Sequence, residues 1–209
     1  MTDPAAKPSI RAVFLDIGNV VLYFSHEKMC RQLAAACGTT PDAIRRGILE
    51  SGYTTPYDRG DVTSEEFVAR LEEIADRELD MAAVRRAAAS IFVPNPAVFA
   101  LVEALARQGV ELGVLSNTCE IHTSDAIEQF DVFRHFRHRI YSHRVRAVKP
   151  EEAIFRAAWE AAGCEPGECF FTDDRPDFIV AARRAGLQAE TFRGARYLRA
   201  QLARRGIEV

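Results

Sequence analysis

Six polar residues with complementary chemistry occur in four short clusters, and each cluster follows an apolar run or precedes a helical one. The clusters offer a lone carboxylate, a hydroxyl beside a carboxamide, an ammonium group, and a pair of adjacent carboxylates. A carboxylate can act as a nucleophile, and paired carboxylates bind hard divalent cations through oxygen. An ammonium group binds phosphate oxygens as a point charge. In chain order the clusters are Asp16, Ser116 with Asn117, Lys149, and Asp173 with Asp174.

These groups are suited to phosphoryl transfer. A carboxylate that attacks a phosphate dianion meets like charge, and each such pair at about 4 Å costs around 4 kcal/mol at an effective dielectric near 20. Attack by Asp16 therefore needs at least two positive charges nearby. Lys149 supplies one, and a Mg²⁺ ion held by carboxylates suits the other role. Because Asp173 and Asp174 repel each other without a cation, we favour a metal site over a pair of helix-capping acids.

The hydrophobic pattern predicts the elements that must position these clusters. Short apolar runs alternate with longer amphipathic ones, as in a parallel sheet covered by helices, and a glycine follows each of three helices. We therefore predict an α/β fold with a Rossmann-like, doubly wound parallel sheet. The predicted strands are residues 10–15, 110–115 and 169–172, with weaker candidates at 139–142 and 188–192, and the predicted helices are residues 96–108, 151–162 and 178–185.

The predicted strands end where the polar clusters begin. In an open parallel sheet, ligands bind beyond the carboxyl ends of the strands, near the point where the strand order reverses. Asp16, Ser116 and Asp173 follow the three apolar strands directly, and Lys149 lies in a loop just before a helix. A right-handed winding can bring these ends to one edge of the sheet, so we expect a single site.

A long helical insertion follows the first strand. No strand-like run occurs before Pro94, and three or four helical segments take its place. This stretch is too long for an ordinary connection between a strand and a helix. We predict a small helical cap over residues 25–93, inserted into a catalytic core of residues 1–24 and 94–209. The predicted cap helices are residues 26–37, 41–50, 64–79 and 81–91, the third of them begun by Thr63 or Ser64 with Glu66 as a capping pair.

Bulk properties narrow the function classes. The chain has 209 residues, 48% of them hydrophobic, which suits one compact α/β domain with a modest insertion. A formal net charge of -3 argues against nucleic acid as the main partner. No stretch approaches the roughly 18 consecutive apolar residues of a membrane span, so we expect no membrane partner. Monomeric and homodimeric states are both compatible with the sequence.

Cysteine usage and the N-terminal residues suggest a location. Five scattered cysteines without a CxxC pair indicate neither a disulfide framework nor a zinc site. Residues 1–9 are polar and lack the apolar region of a secretory signal. We therefore expect a cytoplasmic protein.

The four clusters resemble the four ordered motifs of the haloacid dehalogenase superfamily. The resemblance covers nearly the whole chain, with the cap between the first two motifs, as in the branch that has a small helical cap. Within the superfamily, the chain is similar to bacterial α-D-glucose-1-phosphate phosphatases and their relatives, which share an Asp-x-Gly-Asn-Val first motif, a Ser-Asn-Thr followed by a His, and an acidic pair. The matching segments are FLDIGNV (14–20), VLSNT (114–118), VKP (148–150) and FFTDD (170–174).

The resemblance implies a Mg²⁺-dependent phosphatase that hydrolyses a small phosphate ester, with a sugar phosphate expected, through an aspartyl-phosphate intermediate. It implies catalytic roles for Asp16 as the nucleophile, Lys149 as the phosphate-binding cation and Ser116 as a hydroxyl donor. Ser116, Asn117 and Lys149 are then the expected substrate-binding residues. The expected metal ligands are Asp16, the Gly18 carbonyl oxygen and Asp174, with Asp173 bound to the metal or next to it.

Two positions depart from the family pattern. Gly18 stands where most phosphatases of the superfamily carry a second aspartate, the general acid that protonates the leaving oxygen and contributes about 10²–10⁴-fold in rate. Its absence predicts a preference for better leaving groups, such as an anomeric phosphate. Phe178 stands where relatives often have Asn, which predicts weaker hydrogen-bond support for the metal site.

Two other functions fit the same fold. A 2-haloacid dehalogenase would use Asp16 on carbon without a metal, but it would leave the charges of Asp173 and Asp174 without a cation. A catalytically weak binding or regulatory protein is supported only by Gly18 and Phe178.

Several other residues have competing interpretations. For His122 we predict a helix-capping or surface role ahead of substrate contact. The segment 57–60 either reaches the leaving group or simply connects two helices, and the segment 193–205 is expected to be an amphipathic surface helix. For His135, His138 and His143 we predict a solvated face, not a metal site.

Overall fold

A five-stranded parallel sheet forms the centre of the fold in the computed structural model, which describes residues 9–209. Its strand order is β5-β4-β1-β6-β7, and β2 pairs with β3 in a separate two-stranded ribbon. All five sheet strands lie within two residues of the predicted ones, so the predicted α/β fold is confirmed. The strands are β1 (Ala12–Leu15), β2 (Leu22–Tyr23), β3 (Val93–Pro94), β4 (Glu111–Ser116), β5 (His138–Tyr141), β6 (Cys169–Asp173) and β7 (Gln188–Thr191).

Five helices lie between β2 and β3, and their apolar faces pack against one another in a cluster that also includes Cys119 and Ile121. The predicted capping start is confirmed, because Thr63 and Glu66 form a reciprocal capping box. The second helix continues as a π-helix over Arg45–Glu50, and the third was missed by the sequence pattern. The helices are α1 (His26–Cys37), α2 (Pro41–Ile44), α3 (Thr54–Arg59), α4 (Ser64–Ala75) and α5 (Met81–Ala89).

The division into core residues 1–24 and 94–209 and cap residues 25–93 stays a prediction, and residues 1–8 lie outside the described part of the chain. Six further α-helices follow β3. The predicted amphipathic helix near the C-terminus is confirmed, since it buries Leu198 and Leu202. The helices are α6 (Pro96–Arg107), α7 (Glu120–Asp125), α8 (Ser142–Val145), α9 (Glu152–Ala162), α10 (Pro176–Arg184) and α11 (Ala195–Ala203).

Alternation along β1 explains why helices cover both faces of the sheet. Successive side chains of a strand point to opposite faces. Val13 and Leu15 belong to one apolar cluster, which includes buried residues of α6 and α11. Ala12 and Phe14 belong to another cluster, with buried residues of α9 and α10. The central strand is therefore buried on both sides, as its unbroken apolar run predicts.

Within residues 9–209, no helix has both the length and the apolar composition needed to cross a lipid bilayer.

The ribbon of β2 and β3 corrects one prediction. The sequence predicts no strand before Pro94, yet Leu22 pairs with Pro94 and Tyr23 with Val93 where the chain enters and leaves the five-helix region. Asn95 reinforces this crossing, since its side-chain amide donates to the Val20 carbonyl at 2.8 Å. Two-residue strands are too short to show a period, so only the tertiary pairing reveals them.

Candidate active site

The carboxyl ends of the three central strands bring the predicted clusters together. Asp16 follows β1, Ser116 ends β4 and Asp173 ends β6. The chain runs from β1 outward through β4 to β5 and then crosses to β6 and β7, so the strand order reverses at β1. Ligands of such sheets bind at this reversal point. Lys149 reaches the same edge from the loop between α8 and α9.

Lys149 is the electrostatic centre of the site. Its Nζ donates to Asp16 Oδ1 at 2.7 Å and to Asp173 Oδ2 at 2.5 Å, and only 1% of its side chain is exposed. Burial lowers the pKa of the Lys149 ammonium, but the two carboxylates outweigh burial and hold its pKa above the ordinary value. Lys149 is therefore charged at neutral pH.

Phe178 has a role that the family pattern does not predict. Its ring centroid lies 5.0 Å from Lys149 Nζ, and that of Phe171 lies 5.4 Å away. A cation over an aromatic face is stabilised by about 0.5–2 kcal/mol, more when it is desolvated. Phe178 thus supports the ammonium group directly, although it offers no hydrogen bond to a metal site.

Three carboxylates face this single ammonium. Asp16, Asp173 and Asp174 each place one oxygen within 4.8 Å of the others. Burial, and then the neighbouring Asp16 carboxylate, raise the pKa of Asp173 to about 7, although Lys149 opposes this shift. Three carboxylates and one ammonium leave two formal negative charges uncompensated, so the cluster is suited to a divalent cation.

Hydrogen bonding distinguishes the three carboxylates. Asp173 uses both oxygens, accepting from Lys149 and from the Arg175 backbone N–H at 2.8 Å. Asp174 Oδ2 accepts from Asn19 Nδ2 at 3.1 Å. Among the described residues, no protein donor is bonded to the remaining oxygens, Asp16 Oδ2 and Asp174 Oδ1. These two oxygens are the ones free to bind a metal ion.

Asn19 was missed as a site residue by sequence reasoning. Its backbone φ is 56°, in the left-handed region that Asn tolerates better than most residues. This conformation lets the chain turn after β1 while the side chain reaches Asp174. The sequence feature that could have identified Asn19 as a site residue is its position directly after a glycine in the first motif.

Asn117 positions Lys149 through both polar ends of its side chain. Its Oδ1 accepts from the Lys149 backbone N–H at 2.7 Å, and its Nδ2 donates to the Lys149 carbonyl at 3.0 Å. The two loops that carry Asn117 and Lys149 are thereby paired. The substrate-binding role expected for Asn117 stays a prediction.

Replacing Asn117 is expected to loosen Lys149. Asn117→Ala removes two hydrogen bonds, and we expect a loss of about 1–3 kcal/mol in the free energy of unfolding, since each bond contributes about 0.5–1.5 kcal/mol. Urea denaturation measures the loss. The control is Gln129→Ala, which removes one exposed bond to the Asp125 carbonyl. A loss no larger than in this control would show that Asn117 does not hold the loops together.

A cavity of about 700 Å³ lies between these strand ends and the five-helix region. Asp16, Ser116 and Lys149 line it from the core, and residues of α1, α3, α4 and α5 line it from the other side. Small-molecule sites typically occupy about 300–1,000 Å³. The cavity therefore has room for a metabolite-sized ligand beside the carboxylates.

Position 18 has no room for a side chain without a change in its surroundings. A Cβ atom built on Gly18 would come within 2.8 Å of Cε1 of Phe24, closer than real Cβ contacts. Phe24 also lines the cavity. The ring of Phe24 therefore occupies space that a second aspartate would need.

The prediction for His122 is wrong. Its ring lines the cavity and makes an edge contact with Phe92, at 5.1 Å between centroids. Burial lowers the pKa of His122 to about 4, so the ring is neutral. The five-helix region covers this part of α7, and this burial cannot be predicted from the local sequence.

The predicted solvated face is wrong for His138 and His143, whereas His135 accepts an exposed hydrogen bond from Arg134. His138 is bonded to Glu111 at 2.6 Å with 10% of its side chain exposed, and His143 Nδ1 lies 2.8 Å from the Thr118 carbonyl oxygen. These side chains pack against the sheet edge and the second motif. Among residues 9–209, the candidate metal cluster contains no histidine.

The segment 57–60 is not a plain connecting loop either, since Tyr57, Asp58 and Arg59 belong to α3.

Comparison with known proteins identifies the family. The chain matches the family model of haloacid dehalogenase-like hydrolases over residues 10–186. Phosphoglycolate phosphatase 1 of Pseudomonas aeruginosa is 28% identical over 93 residues, which cover 44% of this chain and 34% of that protein. The chain thus spans well under half the length of the curated relatives that it matches first.

Two solved structures share the fold. The magnesium complex of a family enzyme from Bacteroides thetaiotaomicron has a TM-score of 0.74 and 25% identity, covering 88% of this chain and 94% of the other. L-2-haloacid dehalogenase from Xanthobacter autotrophicus, with chloropropionic acid covalently bound, has a TM-score of 0.64 and 17% identity, covering 96% of this chain and 85% of the other. Since the family model covers most of the sequence and the sheet carries its motifs at one edge, this chain belongs to the haloacid dehalogenase-like hydrolase family.

Proposed function

We propose that the protein is a Mg²⁺-dependent phosphatase that hydrolyses a small phosphate ester, with sugar phosphates as the first class to test. The observation that carries this proposal is the ammonium of Lys149, bonded to both Asp16 and Asp173 beside the Asp174 carboxylate. One cation among three carboxylates calls for a second cation before a phosphate can approach. The phosphatase relatives and the magnesium complex of the family enzyme add support.

The carboxylate cluster fits Mg²⁺. Asp16 Oδ2 and Asp174 Oδ1, which have no protein donor among the described residues, would bind it, together with the Gly18 carbonyl oxygen. Asp173 would stand next to it, because its own oxygens are engaged by Lys149 and the Arg175 backbone. When bound, the ion supplies positive charge that polarises the phosphoryl oxygens.

The side chains of the site then have distinct roles. Asp16 attacks phosphorus in line with the leaving oxygen and becomes an aspartyl-phosphate, which water hydrolyses in the second step. Lys149 and the Ser116 hydroxyl bind oxygens of the transferring phosphoryl group. Asn117 holds the Lys149 backbone in place. The cap wall of the cavity surrounds the leaving group and excludes water.

Phosphate release from a panel of sugar phosphates, phosphoglycolate and 4-nitrophenyl phosphate tests this function. We expect release with Mg²⁺ and none above background with EDTA. We also expect Mg²⁺ to raise the melting temperature, since a ligand at 100 times its Kd stabilises by about 2.7 kcal/mol. This stabilisation should be lost in Asp174→Asn.

No release from any substrate by protein with a cooperative melting transition would contradict the proposal. Chloride release from chloroacetate in EDTA would then identify a dehalogenase, which uses Asp16 without a metal. A matched control variant is Asp177→Asn, since Asp177 lines the cavity but pairs with Arg175 at 2.6 Å. It should keep the stabilisation by Mg²⁺.

A further inference from the structure

The departing alcohol needs a proton, and position 18 cannot supply it. An alkoxide is a poor leaving group, and a positioned acid that protonates it accelerates the reaction by about 10²–10⁴-fold. Gly18 has no side chain, and the ring of Phe24 lies where one would project. A proton donor must therefore come from another part of the cavity wall.

Four aspartates line the cavity among the described residues. Asp16 and Asp174 belong to the charged cluster, and Asp177 pairs with Arg175. The fourth, Asp58, is the only one on the cap side. Its carboxyl group has no ion pair and no hydrogen bond within the described part of the chain.

Helix α3 holds Asp58 firmly against the catalytic loops. Ser142 Oγ donates to the Asp58 carbonyl at 2.5 Å and accepts from the Thr118 backbone N–H at 2.9 Å, two residues after Ser116. The next residue, Arg59, makes a bidentate ion pair with Glu151 at 2.6 and 2.8 Å, two residues after Lys149. Both catalytic loops are thus fastened to the turn of helix that carries Asp58.

Burial raises the pKa of Asp58 to about 7, so its carboxyl group holds a proton near neutral pH. Four titratable groups near α3 are neutral at this pH. Burial raises the pKa of the Cys119 thiol and of the Tyr57 hydroxyl, and lowers the pKa of the His143 and His122 rings. The charged neighbours point elsewhere: Arg59 binds Glu151 and Asp61, and Arg146 binds Asp61.

We propose that Asp58 is the general acid and base of this site, acting from the cap in place of an aspartate at position 18. The inference rests on the proposed phosphatase function and deepens it. In the first step Asp16 forms a bond to phosphorus, the bond from phosphorus to the leaving oxygen breaks, and that oxygen takes the proton of Asp58. The products are the free alcohol, an aspartyl-phosphate and an Asp58 carboxylate.

The second step restores both residues. The Asp58 carboxylate takes a proton from water while the water oxygen bonds to phosphorus. The bond from phosphorus to Asp16 breaks, and its electron pair returns to the Asp16 carboxylate. Since ester and water give alcohol and phosphate, no further reactant is needed. Without an acid at position 18, hydrolysis of esters with ordinary alkyl leaving groups would be disfavoured. The proton supplied by Asp58 makes these esters accessible as substrates.

Asp58→Asn tests the inference with two probes, glycerol 2-phosphate and 4-nitrophenyl phosphate. The alkyl leaving group needs a proton and nitrophenolate does not. We therefore expect kcat/KM for glycerol 2-phosphate to fall about 10²–10⁴-fold. The fold-loss of kcat/KM for 4-nitrophenyl phosphate should be smaller by a factor of at least about ten. The matched control is Asp61→Asn, the same chemical change outside the cavity, which should change neither value more than about twofold.

An equal loss with both probes, or no loss with either, would overturn the role of Asp58. If the variant does not fold, the wild-type pH profile decides. Loss of the Asp58 proton should lower kcat/KM for glycerol 2-phosphate above about pH 7, relative to 4-nitrophenyl phosphate, and parallel profiles would overturn the inference. Wild-type protein that hydrolyses neither probe would instead refute the phosphatase function itself.

Discussion

Asp16→Asn is expected to lower kcat for every phosphate ester by about 10⁴-fold or more, the scale seen when a covalent nucleophile is removed. An amide cannot form the acyl-phosphate, and the remaining groups only bind the substrate. The variant should nevertheless fold. Lys149 keeps its bond to Asp173, and one of three crowded negative charges is removed. The melting temperature in EDTA should therefore not fall.

Single-turnover phosphate release and mass spectrometry of quenched enzyme measure this effect. We expect a phosphoryl adduct on wild-type protein and none on the variant. Asp42→Asn, on the exposed face of α2, is the matched control and should keep full activity. Retention of activity above about 1% in Asp16→Asn would exclude Asp16 as the nucleophile.

Lys149→Met has the second-largest expected effect, and it acts on both activity and stability. In the proposed reaction the ammonium is one of two positive charges at the phosphate, so we expect its loss to lower kcat/KM about 10³-fold or more. The loss also leaves two buried carboxylates facing each other. Removal of one partner from a buried ion pair costs about 3–5 kcal/mol of unfolding free energy, and we expect a loss of this size at pH 8.

The loss of stability in Lys149→Met should depend on pH. Native Asp173 has a pKa of about 7, raised by burial and by Asp16, whereas an unfolded aspartate titrates near pH 3.9. The native state therefore binds more protons between these values, and stability falls as pH rises from about 4 to about 7. Without Lys149, which lowers the pKa of Asp173, this fall should continue to higher pH.

Urea denaturation in EDTA at pH 5 and pH 8 tests this dependence. The variant should lose less stability at pH 5, where Asp173 is protonated in both proteins, than at pH 8. Lys28→Met, on α1, is the matched control and should change stability by no more than about 0.5 kcal/mol. Equal losses of Lys149→Met at the two pH values would show that Asp173 does not titrate in the native state.

The α/β fold and its parallel sheet followed from local pattern. Unbroken apolar runs predict strands buried on both faces, and glycines after amphipathic segments predict helix ends such as Gly163, which has a φ of 60°. The capping box at Thr63 was also predictable from the sequence, because all of its partners lie within one helical turn. The two-residue strands and the six-residue α3 were not predictable, since none of them is long enough to show a repeating hydrophobic pattern.

Sequence alone also determined which polar clusters meet. The carboxyl ends of neighbouring parallel strands share one edge of a sheet, so Asp16, Ser116 and Asp173 had to converge once their strands were recognised. The family resemblance of the motifs implied the chemistry of these groups.

Tertiary structure alone decided how each side chain is used. The amide of Asn117 binds the Lys149 backbone, Phe178 lies over the Lys149 ammonium, and His122 lines a cavity instead of the surface. It also placed Asp58 in the wall of the same cavity as Asp16, although the two residues lie far apart in the chain. Such contacts join residues far apart in the chain. Hydrophobic period and motif spacing record which face of an element is buried, but the packing of elements determines what that face touches.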